Sequence, residues 1–317
     1  MKRLCICLLA FLIVCSPVTA YGLSVVPGGN VVGLELRCGT VTVAAVEEKS
    51  PAEAAGIREG DRILSIDDRP IRDAADVKRA LERSHGSVRM TLSRGREQWS
   101  VRLLPDITPA GPKVGLYLKQ GITGIGTVTF YDPATGSFGA LGHGVNTPEG
   151  ALAQLTEGKV YEAGVRSVRR GKAGDPGQLL GAITNRNPIG FLEKNTPCGI
   201  FGHLESAPAG APMEICPHDR VKPGKALIRS NIEGNTVREY SVEILRIYPG
   251  GRENGRNMLL RVTDPALLSA TGGIVQGMSG SPIIQDGKLI GAVTHVLVND
   301  PTTGYGIFIE NMLDAAA

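Results

Sequence analysis

Ser279 stands in a short turn whose residue types suit a nucleophile. The segment Gly277-Met278-Ser279-Gly280-Ser281-Pro282 places glycines close on both sides of the serine. A tight turn of this kind exposes the hydroxyl group, and it lets the backbone N–H groups of Gly277 and Ser279 point at one place, where they would stabilise an oxyanion. The same residue types also occur in ordinary turns. The prediction that Ser279 is a nucleophile therefore depends on a base elsewhere in the chain.

A serine hydroxyl is a weak nucleophile until a neighbouring base takes its proton. The chain has five histidines, which are His85, His143, His203, His218 and His295. His143 lies between glycines at the end of an expected strand, where an imidazole can project into a cleft. His295 lies inside an apolar strand, where a satisfied core histidine is the simpler interpretation. We therefore predict His143 as the general base.

A second group of thiols and imidazoles supplies the ligand types of structural zinc. It consists of Cys198 with His203 and of Cys216 with His218, but this spacing is not a usual zinc pattern. A Cys198–Cys216 disulfide is an alternative in an exported protein, and separate small core thiols are another. The chemistry predicted for Ser279 requires no metal and no cofactor.

The first twenty residues predict export. Met1-Lys2-Arg3 is followed by an unbroken apolar run over Leu4–Cys15, and Ser16–Ala20 supplies the small residues that a signal peptidase needs. The run is short for a membrane span, and an uncleaved anchor is the alternative. In either case we expect the rest of the chain to be exported.

Composition sets the scale of the protein and excludes one class of partner. The 317 residues suffice for two modest domains with hydrophobic cores. The 34 basic and 31 acidic residues nearly balance and form no basic stripe, which argues against nucleic-acid binding. The 42 glycines and 20 prolines favour many turns and short strands.

The elements divide the chain into two units. Residues 23–105 predict a small α+β domain, residues 106–114 a proline-bearing linker, and residues 115–317 a run of strands separated by turns. Within the last unit, Pro282–Ile290 contains Asp-Gly between two apolar runs, which predicts a β-hairpin. The pattern favours a β-barrel or sandwich for the second unit, so the fold class is mainly β.

The segment Ser50–Ile66, which reads SPAEAAGIREGDRILSI, resembles the signature of bacterial PDZ domains. PDZ domains bind an extended peptide as an added strand. The resemblance implies a carboxylate-binding loop at Gly33, Leu34, Glu35 and Leu36, flanked by a helix over residues 73–83. A PDZ copy that serves only as a spacer is the alternative.

Further segments resemble the SpoIVB family of serine peptidases, and the resemblance covers most of residues 115–315. They are Phe130–Pro133, Gly139–His143, Gly272–Pro282 and Gly291–Val296. The resemblance implies a chymotrypsin-like double β-barrel after the PDZ domain. It also implies a catalytic set of His143, Asp264 and Ser279, with the strand Ala292–Val296 lining the primary specificity pocket.

Asp264 has two interpretations. As the member of a triad, it should be buried and accept a hydrogen bond from His143. It is also followed by Pro265 and an apolar run, which is typical of an aspartate that caps the N-terminus of a helix. The two roles are not exclusive.

The resemblance further implies a role in endospore formation. SpoIVB-type peptidases act between forespore and mother cell, where they cleave regulators of a membrane-embedded processing protease and also themselves. The expected partners are protein substrates at or near the membrane and a PDZ ligand peptide, for which another copy of the chain is a candidate. The alternatives are an HtrA-type quality-control protease, in which the PDZ domain follows the protease, and an inactive PDZ-bearing scaffold.

Overall fold

The structure is a computed structural model that describes residues 23–147, 150–206, 209–249 and 255–317. The segment predicted as a signal peptide or anchor, residues 1–20, lies outside the described residues. In the part of the chain that is described, no helix is both long and apolar enough to cross a membrane.

The described residues form mainly strands. These are β1 (Ser24–Pro27), β2 (Val31–Val46), β3 (Arg62–Ile66), β4 (Arg69–Pro70), β5 (Val88–Arg94), β6 (Glu97–Leu103), β7 (Asp106–Thr108), β8 (Gly111–Lys113), β9 (Leu116–Tyr131), β10 (Ser137–Ala140), β11 (Glu157–Arg169), β12 (Gln178–Thr196), β13 (Gly199–Leu204), β14 (Met213–Glu214), β15 (Gly224–Asn231), β16 (Val237–Ile247), β17 (Met258–Val262), β18 (Pro282–Gln285), β19 (Lys288–Leu297) and β20 (Asp300–Phe308). The helices are α1 (Pro51–Ala54), α2 (Ala74–Arg83), α3 (Pro265–Thr271) and α4 (Ile309–Ala316), and His218–Arg220 form one 3-10 turn.

Six strands close into an N-terminal barrel. Its antiparallel pairings run from β2 to β9, β10, β13, β12 and β11, and return from β11 to β2. Apolar side chains on alternate positions of these strands fill the interior, because successive residues of a strand face opposite sides. Leu34, Val128, Phe138 and Ile200 are among the buried residues of this core.

Six later strands close into a C-terminal barrel in the order β15, β16, β17, β20, β19 and β18. Its core includes Ile228, Leu260, Ile283 and Val293, all fully buried. The predicted hairpin is present as β18 and β19, joined by Asp286 and Gly287, both with positive φ. Two six-stranded antiparallel barrels confirm the predicted fold class, a mainly β peptidase domain of the double-barrel type.

The PDZ unit is built on a sheet in the order β9, β2, β3, β5 and β6. Ser50 and Asp73 cap α1 and α2 as predicted, each through a side-chain oxygen that accepts from a backbone N–H three residues later. Inside the unit, the fully buried Asp61 carboxylate accepts two hydrogen bonds from Arg94, at 2.7 and 2.8 Å.

The PDZ unit and the N-terminal barrel share two long strands. The first half of β2 pairs with β11 inside the barrel, whereas Val41 and Thr42 of the same strand pair with β3 of the PDZ sheet. β9 accompanies β2 along both units. The boundaries placed at residues 23 and 115 therefore do not follow the strand pairings, since residues 31–36 belong to the barrel. The predicted linker contains the small β7–β8 hairpin.

The prediction of a carboxylate-binding loop at Gly33, Leu34, Glu35 and Leu36 is wrong. These four residues lie in β2, where they pair with β9 on one side and with β11 on the other. Backbone groups that are used on both edges cannot receive an added peptide. Gly33 does not have the unusual backbone conformation expected of such a loop. A Cβ atom there would lie 2.6 Å from Ile183 Cγ1, which accounts for glycine at this position.

Candidate active site

The two barrels meet at a cavity of about 480 Å³ that is lined by two of the three predicted catalytic residues, His143 and Ser279. The N-terminal barrel contributes Leu34, Leu36, Ile125 and His143, and the C-terminal barrel contributes Gly277, Ser279 and His295. His143 follows β10 and Ser279 precedes β18. The packing of one barrel against the other therefore brings together two residues that lie 136 positions apart in the sequence.

The serine loop, Gly277–Gly280, is fixed to the N-terminal barrel by two fully buried threonines of β9. Thr127 Oγ1 donates to Gly277 O and Thr129 Oγ1 donates to Gly280 O, both at 2.8 Å. Thr127 N also donates to Ser279 O at 3.3 Å. These bonds hold the backbone in place on both sides of Ser279, and they therefore fix the position of its Cα atom in the cavity.

Two backbone amides in this loop are left without a hydrogen-bond acceptor in the described structure. Among the hydrogen bonds of the described residues, the amides of Gly277 and Ser279 have no acceptor, whereas those of Met278, Gly280 and Ser281 all donate to backbone carbonyls. Gly277 has a φ of 98° and Gly280 a φ of 96°, conformations that favour glycine. The two amides left free are the pair expected for the oxyanion hole.

In the histidine loop, Leu141–Gly144, a residue other than glycine has a positive φ. Leu141 has a φ of 69° and Gly142 a φ of 67°. A bulky residue in the left-handed region is an outlier and stores backbone strain, and such residues cluster at functional sites. The Leu141 side chain is buried in the core of the N-terminal barrel, which holds the strained turn in place.

A backbone carbonyl sets the tautomer of His143. Its Nδ1 lies 2.9 Å from Gly144 O. A carbonyl oxygen can only accept, so Nδ1 carries the proton and Nε2 keeps its lone pair. Burial lowers the pKa of His143, and the bond to Gly144 raises it by less. The ring is therefore neutral at neutral pH, the form that a general base needs.

In this structure the Ser279 hydroxyl is not bonded to His143. Ser279 Oγ donates to Thr294 O at 2.7 Å. Thr294 lies on β19, the strand predicted to line the specificity pocket, but of that strand it is His295 that faces the cavity. Rotation about the Cα–Cβ bond of Ser279 is the motion that would move Oγ away from Thr294.

Asp264 does not take the position expected of a triad member. Its Oδ1 accepts from Ala266 N at 2.9 Å and Leu267 N at 3.0 Å, and its Oδ2 accepts from Ser241 N at 3.3 Å. No hydrogen bond joins it to His143 among the described residues, and it is only half-buried. The expectation of a buried carboxylate bonded to His143 is wrong for this structure, because the carboxylate caps α3 instead.

His295 is not a satisfied core histidine, contrary to the simpler interpretation of its sequence. Its ring lies 5.2 Å from that of His143, centroid to centroid. Its Nδ1 is buried and has no hydrogen-bond partner in the described structure. Burial lowers the pKa of His295 to about 4, with smaller contributions from the neighbouring His143 and Arg256. His295 is therefore neutral and unpartnered beside the predicted base.

The other histidines and the cysteines lie elsewhere. His203 stacks on Phe191, and His218 Nδ1 lies 2.6 Å from Glu310 Oε2. Cys38, Cys198 and Cys216 are free thiols in the structure. Over the described ranges, no group of three or more His, Cys, Asp or Glu residues could hold a metal ion. Neither the zinc alternative nor the disulfide alternative has support in this geometry.

The PDZ unit offers an open strand edge that the sequence pattern did not predict. In the described structure, residues 116–122 of β9 pair with β2 on one side and with no strand on the other. α2 packs against β8 and β9. A signal for this edge exists in the sequence, since Val114-Gly115-Leu116-Tyr117-Leu118 repeats the pattern of Val32-Gly33-Leu34-Glu35-Leu36, the segment that was predicted as the loop.

Two family models match the chain. One, described as SpoIVB peptidase S55, matches residues 111–313, which is more than half of the chain. The other describes a PDZ domain and matches residues 42–94. In class, the protein is a serine peptidase with a PDZ domain. More particularly, the chain belongs to the SpoIVB peptidase S55 family.

The curated relatives match a shorter stretch. A putative zinc metalloprotease of Agrobacterium fabrum is 33% identical over 97 residues, which are 30% of this chain and 25% of that protein. One of Rhizobium meliloti is 35% identical over 86 residues, which are 27% and 23% of the two chains. The chain thus spans about a quarter of the length of these relatives, and the metalloprotease activity in their names is a statement about those proteins alone.

Two solved structures show distant similarity. The active form of the Rv3671c protease from M. tuberculosis has a TM-score of 0.39 at 15% identity, covering 62% of this chain and 75% of that one. The inactive form has a TM-score of 0.36 at 13% identity, covering 61% and 84%. The double-barrel architecture of this chain is established by its own strand pairings and not by these similarities.

Proposed function

We propose that the chain is an exported endopeptidase of sporulation signalling in which Ser279 is the nucleophile and His143 the general base. The observation that carries the proposal is their convergence. Gly277, Ser279 and His143 line one cavity between the barrels, the Gly277 and Ser279 amides have no acceptor among the described residues, and the bond from His143 Nδ1 to Gly144 O leaves Nε2 with its lone pair.

The proposed reaction proceeds through an acyl-enzyme. Ser279 Oγ bonds to the scissile carbonyl carbon while its proton passes to His143 Nε2, and the Gly277 and Ser279 amides stabilise the oxyanion. The C–N bond then breaks as His143 gives the proton to the leaving amine. Water then attacks the acyl carbon while its proton passes to His143. The bond between the acyl carbon and Ser279 Oγ breaks, the product leaves as a carboxylic acid, and Oγ takes the proton back from His143.

Gly144 takes the orienting role in this proposal. Its carbonyl accepts from His143 Nδ1, and so it holds the tautomer that the reaction needs. Because a neutral carbonyl stabilises an imidazolium less than a carboxylate does, this arrangement favours a slow, selective enzyme over a digestive one.

The PDZ unit supplies a candidate docking site for a peptide. The open edge of β9 beside α2 has unpaired backbone groups, which is what a PDZ domain uses to add a strand. We propose that a segment of a substrate, or of a second copy of the chain, binds there. Further along, at residues 122–125, the same strand lines the cavity of Ser279. Docking on β9 would thus hold a substrate next to the catalytic groups.

The proposed biological role and location depend on the family. We propose that the chain acts outside the cytoplasmic membrane, between forespore and mother cell, on regulators of a membrane-embedded processing protease. Its N-terminal apolar run supports export.

The test uses a spore-forming host that lacks its own gene of this family. The full wild-type chain should restore heat-resistant spores, and Ser279→Ala should restore fewer than about one in a hundred, since removing the nucleophile of a triad costs orders of magnitude in turnover. Ser281→Ala is the matched control, because Ser281 is fully buried in the same turn and its hydroxyl donates to Ser230. Equal restoration by Ser279→Ala would show that proteolysis at Ser279 is not the function.

A further inference from the structure

A second cavity adjoins the catalytic one. It has a volume of about 370 Å³, and His143 and His295 line both cavities. Ser279 lines only the first cavity. The second one therefore lies next to the reacting centre, where it would receive a substrate side chain near the scissile bond.

Two residues that line this second cavity each contain a buried nitrogen that has no hydrogen-bond partner in the described structure. The two nitrogens are Arg256 Nε and His295 Nδ1, and they are the buried side-chain nitrogen or oxygen atoms of the described structure that lack a hydrogen bond. A buried donor without an acceptor costs roughly 1–3 kcal/mol, so such atoms are usually satisfied by a ligand or by water when they are retained. Because a guanidinium can only donate, Arg256 beside this cavity indicates a site for an acceptor.

Arg256 is held in position. Its guanidinium carbon lies 5.2 Å from the centre of the Tyr305 ring, a cation–π contact. The next residue, Asn257, is buried, and its backbone N–H donates to Gly306 O at 2.8 Å. The charge is therefore fixed at the cavity rather than free to move in solvent.

The positive charge of the residues that line the cavity favours a negatively charged ligand. Among the described residues that line the cavity, Arg256 is positive and none is acidic. Arg256 and His295 are close enough for the positive charge to lower the pKa of the histidine. A negatively charged acceptor would pair with the guanidinium.

From the proposed endopeptidase function, on which this step rests, we infer that Arg256 and His295 form a subsite for an acidic side chain of the substrate. A glutamate or aspartate carboxylate entering the cavity pairs with the Arg256 guanidinium, beside the His295 ring. A substrate with the neutral amide in that place leaves the guanidinium without its counter-charge. The subsite thus makes an acidic residue close to the scissile bond a determinant of cleavage.

The test compares acidic and amide residues in substrates. The purified full chain is incubated with a peptide library from digested proteins, and the new termini are identified by mass spectrometry. Wild type should favour Glu or Asp over Gln or Asn at one fixed position beside the cleaved bond by about tenfold, the scale of one charge-assisted hydrogen bond. Arg256→Gln should remove that preference. Arg261→Gln, which removes an exposed arginine from the same barrel, should keep it.

A binding measurement separates this inference from the proposed catalysis. Short peptides carrying Glu or Gln are titrated into the full chain with Ser279→Ala, which does not need to turn over. Tighter binding of the Glu peptides, lost in Ser279→Ala/Arg256→Gln, supports the subsite even if catalysis at Ser279 were disproved. Equal binding of Glu and Gln peptides, or an acidic preference that survives Arg256→Gln in the library, overturns it.

Discussion

The serine loop and the histidine loop meet at one cavity, but they reach their conformations in different ways. The serine loop uses glycine at both positions with positive φ, and two buried threonines of the other barrel tie it down. The histidine loop places Leu141 at a φ of 69° and relies on burial of that side chain to hold the strain. One loop is fixed by hydrogen bonds to its neighbour, and the other by packing within its own barrel.

The two loops should therefore differ in how well they tolerate substitution of a glycine. A Cβ atom at Gly280 would lie 2.1 Å from Thr127 O and 2.6 Å from Leu141 N, which are backbone atoms of the other barrel. A Cβ atom at Gly142 would lie 2.9 Å from Thr294 Cγ2 and 3.1 Å from Ile307 Cγ2, which are side-chain methyl groups. Methyl groups can shift by a few tenths of an ångström, but paired backbone cannot move without separating the barrels.

Among the changes that distinguish the two loops, Gly280→Ala should have the largest effect, and Gly142→Ala is its matched partner. Both substitutions put alanine at positive φ, which costs about 1–2 kcal/mol. Only Gly280→Ala also pushes the barrels apart, so it should lower the rate of peptide cleavage by about a hundredfold, the effect of misplacing reacting groups by an ångström. Cleavage rates and melting temperatures of the two variants check this. Equal losses would show that the serine loop is not fixed by its contact with β9.

A smaller effect should follow Asp264→Asn. This substitution removes a negative charge from the part of the chain that carries the serine loop and leaves the histidine loop unchanged. Asparagine caps helices about as well as aspartate, and Asp264 bonds to three backbone amides rather than to His143. The variant should therefore keep its activity within about threefold, whereas the same change of a triad aspartate in a chymotrypsin-like enzyme costs about four orders of magnitude in turnover. Asp264→Ala should lose about 1 kcal/mol of stability through the lost cap. A stable Asp264→Asn chain with almost no activity would return the carboxylate to the triad.

Features that depend on adjacent residues were predictable from the sequence. The pairing of strands that lie far apart in the sequence was not. The glycine turn around Ser279, the N-caps Ser50 and Asp73, and the Asp-Gly hairpin each depend on a few adjacent residues. The shared strands β2 and β9 depend on pairings between residues 70 to 96 positions apart, from Val46 with Leu116 to Val31 with Thr127. The PDZ loop was therefore predicted in a strand that is paired on both edges.

The position of His295 at the cavity also could not be predicted from its neighbours in the sequence. Its apolar neighbours in the sequence correctly indicate a strand, but the period of a strand cannot tell a core position from one facing a cleft between two barrels. Its lack of a partner becomes visible only when His143 and Arg256 are placed around it. Thr127 and Thr129 were missed for a similar reason, since nothing near them in the sequence identifies the loop to which they donate.

Covalent labelling tests the central claim, that His143 activates Ser279 in the cavity between the barrels. The full chain is treated with a small organophosphate, and the modified residue is identified by mass spectrometry. We predict a label on Ser279 in wild type and in Ser281→Ala, none in Ser279→Ala, and a rate lower by at least about a hundredfold in His143→Ala. Labelling of another residue in wild type, or unchanged labelling of Ser279 in His143→Ala, would contradict it.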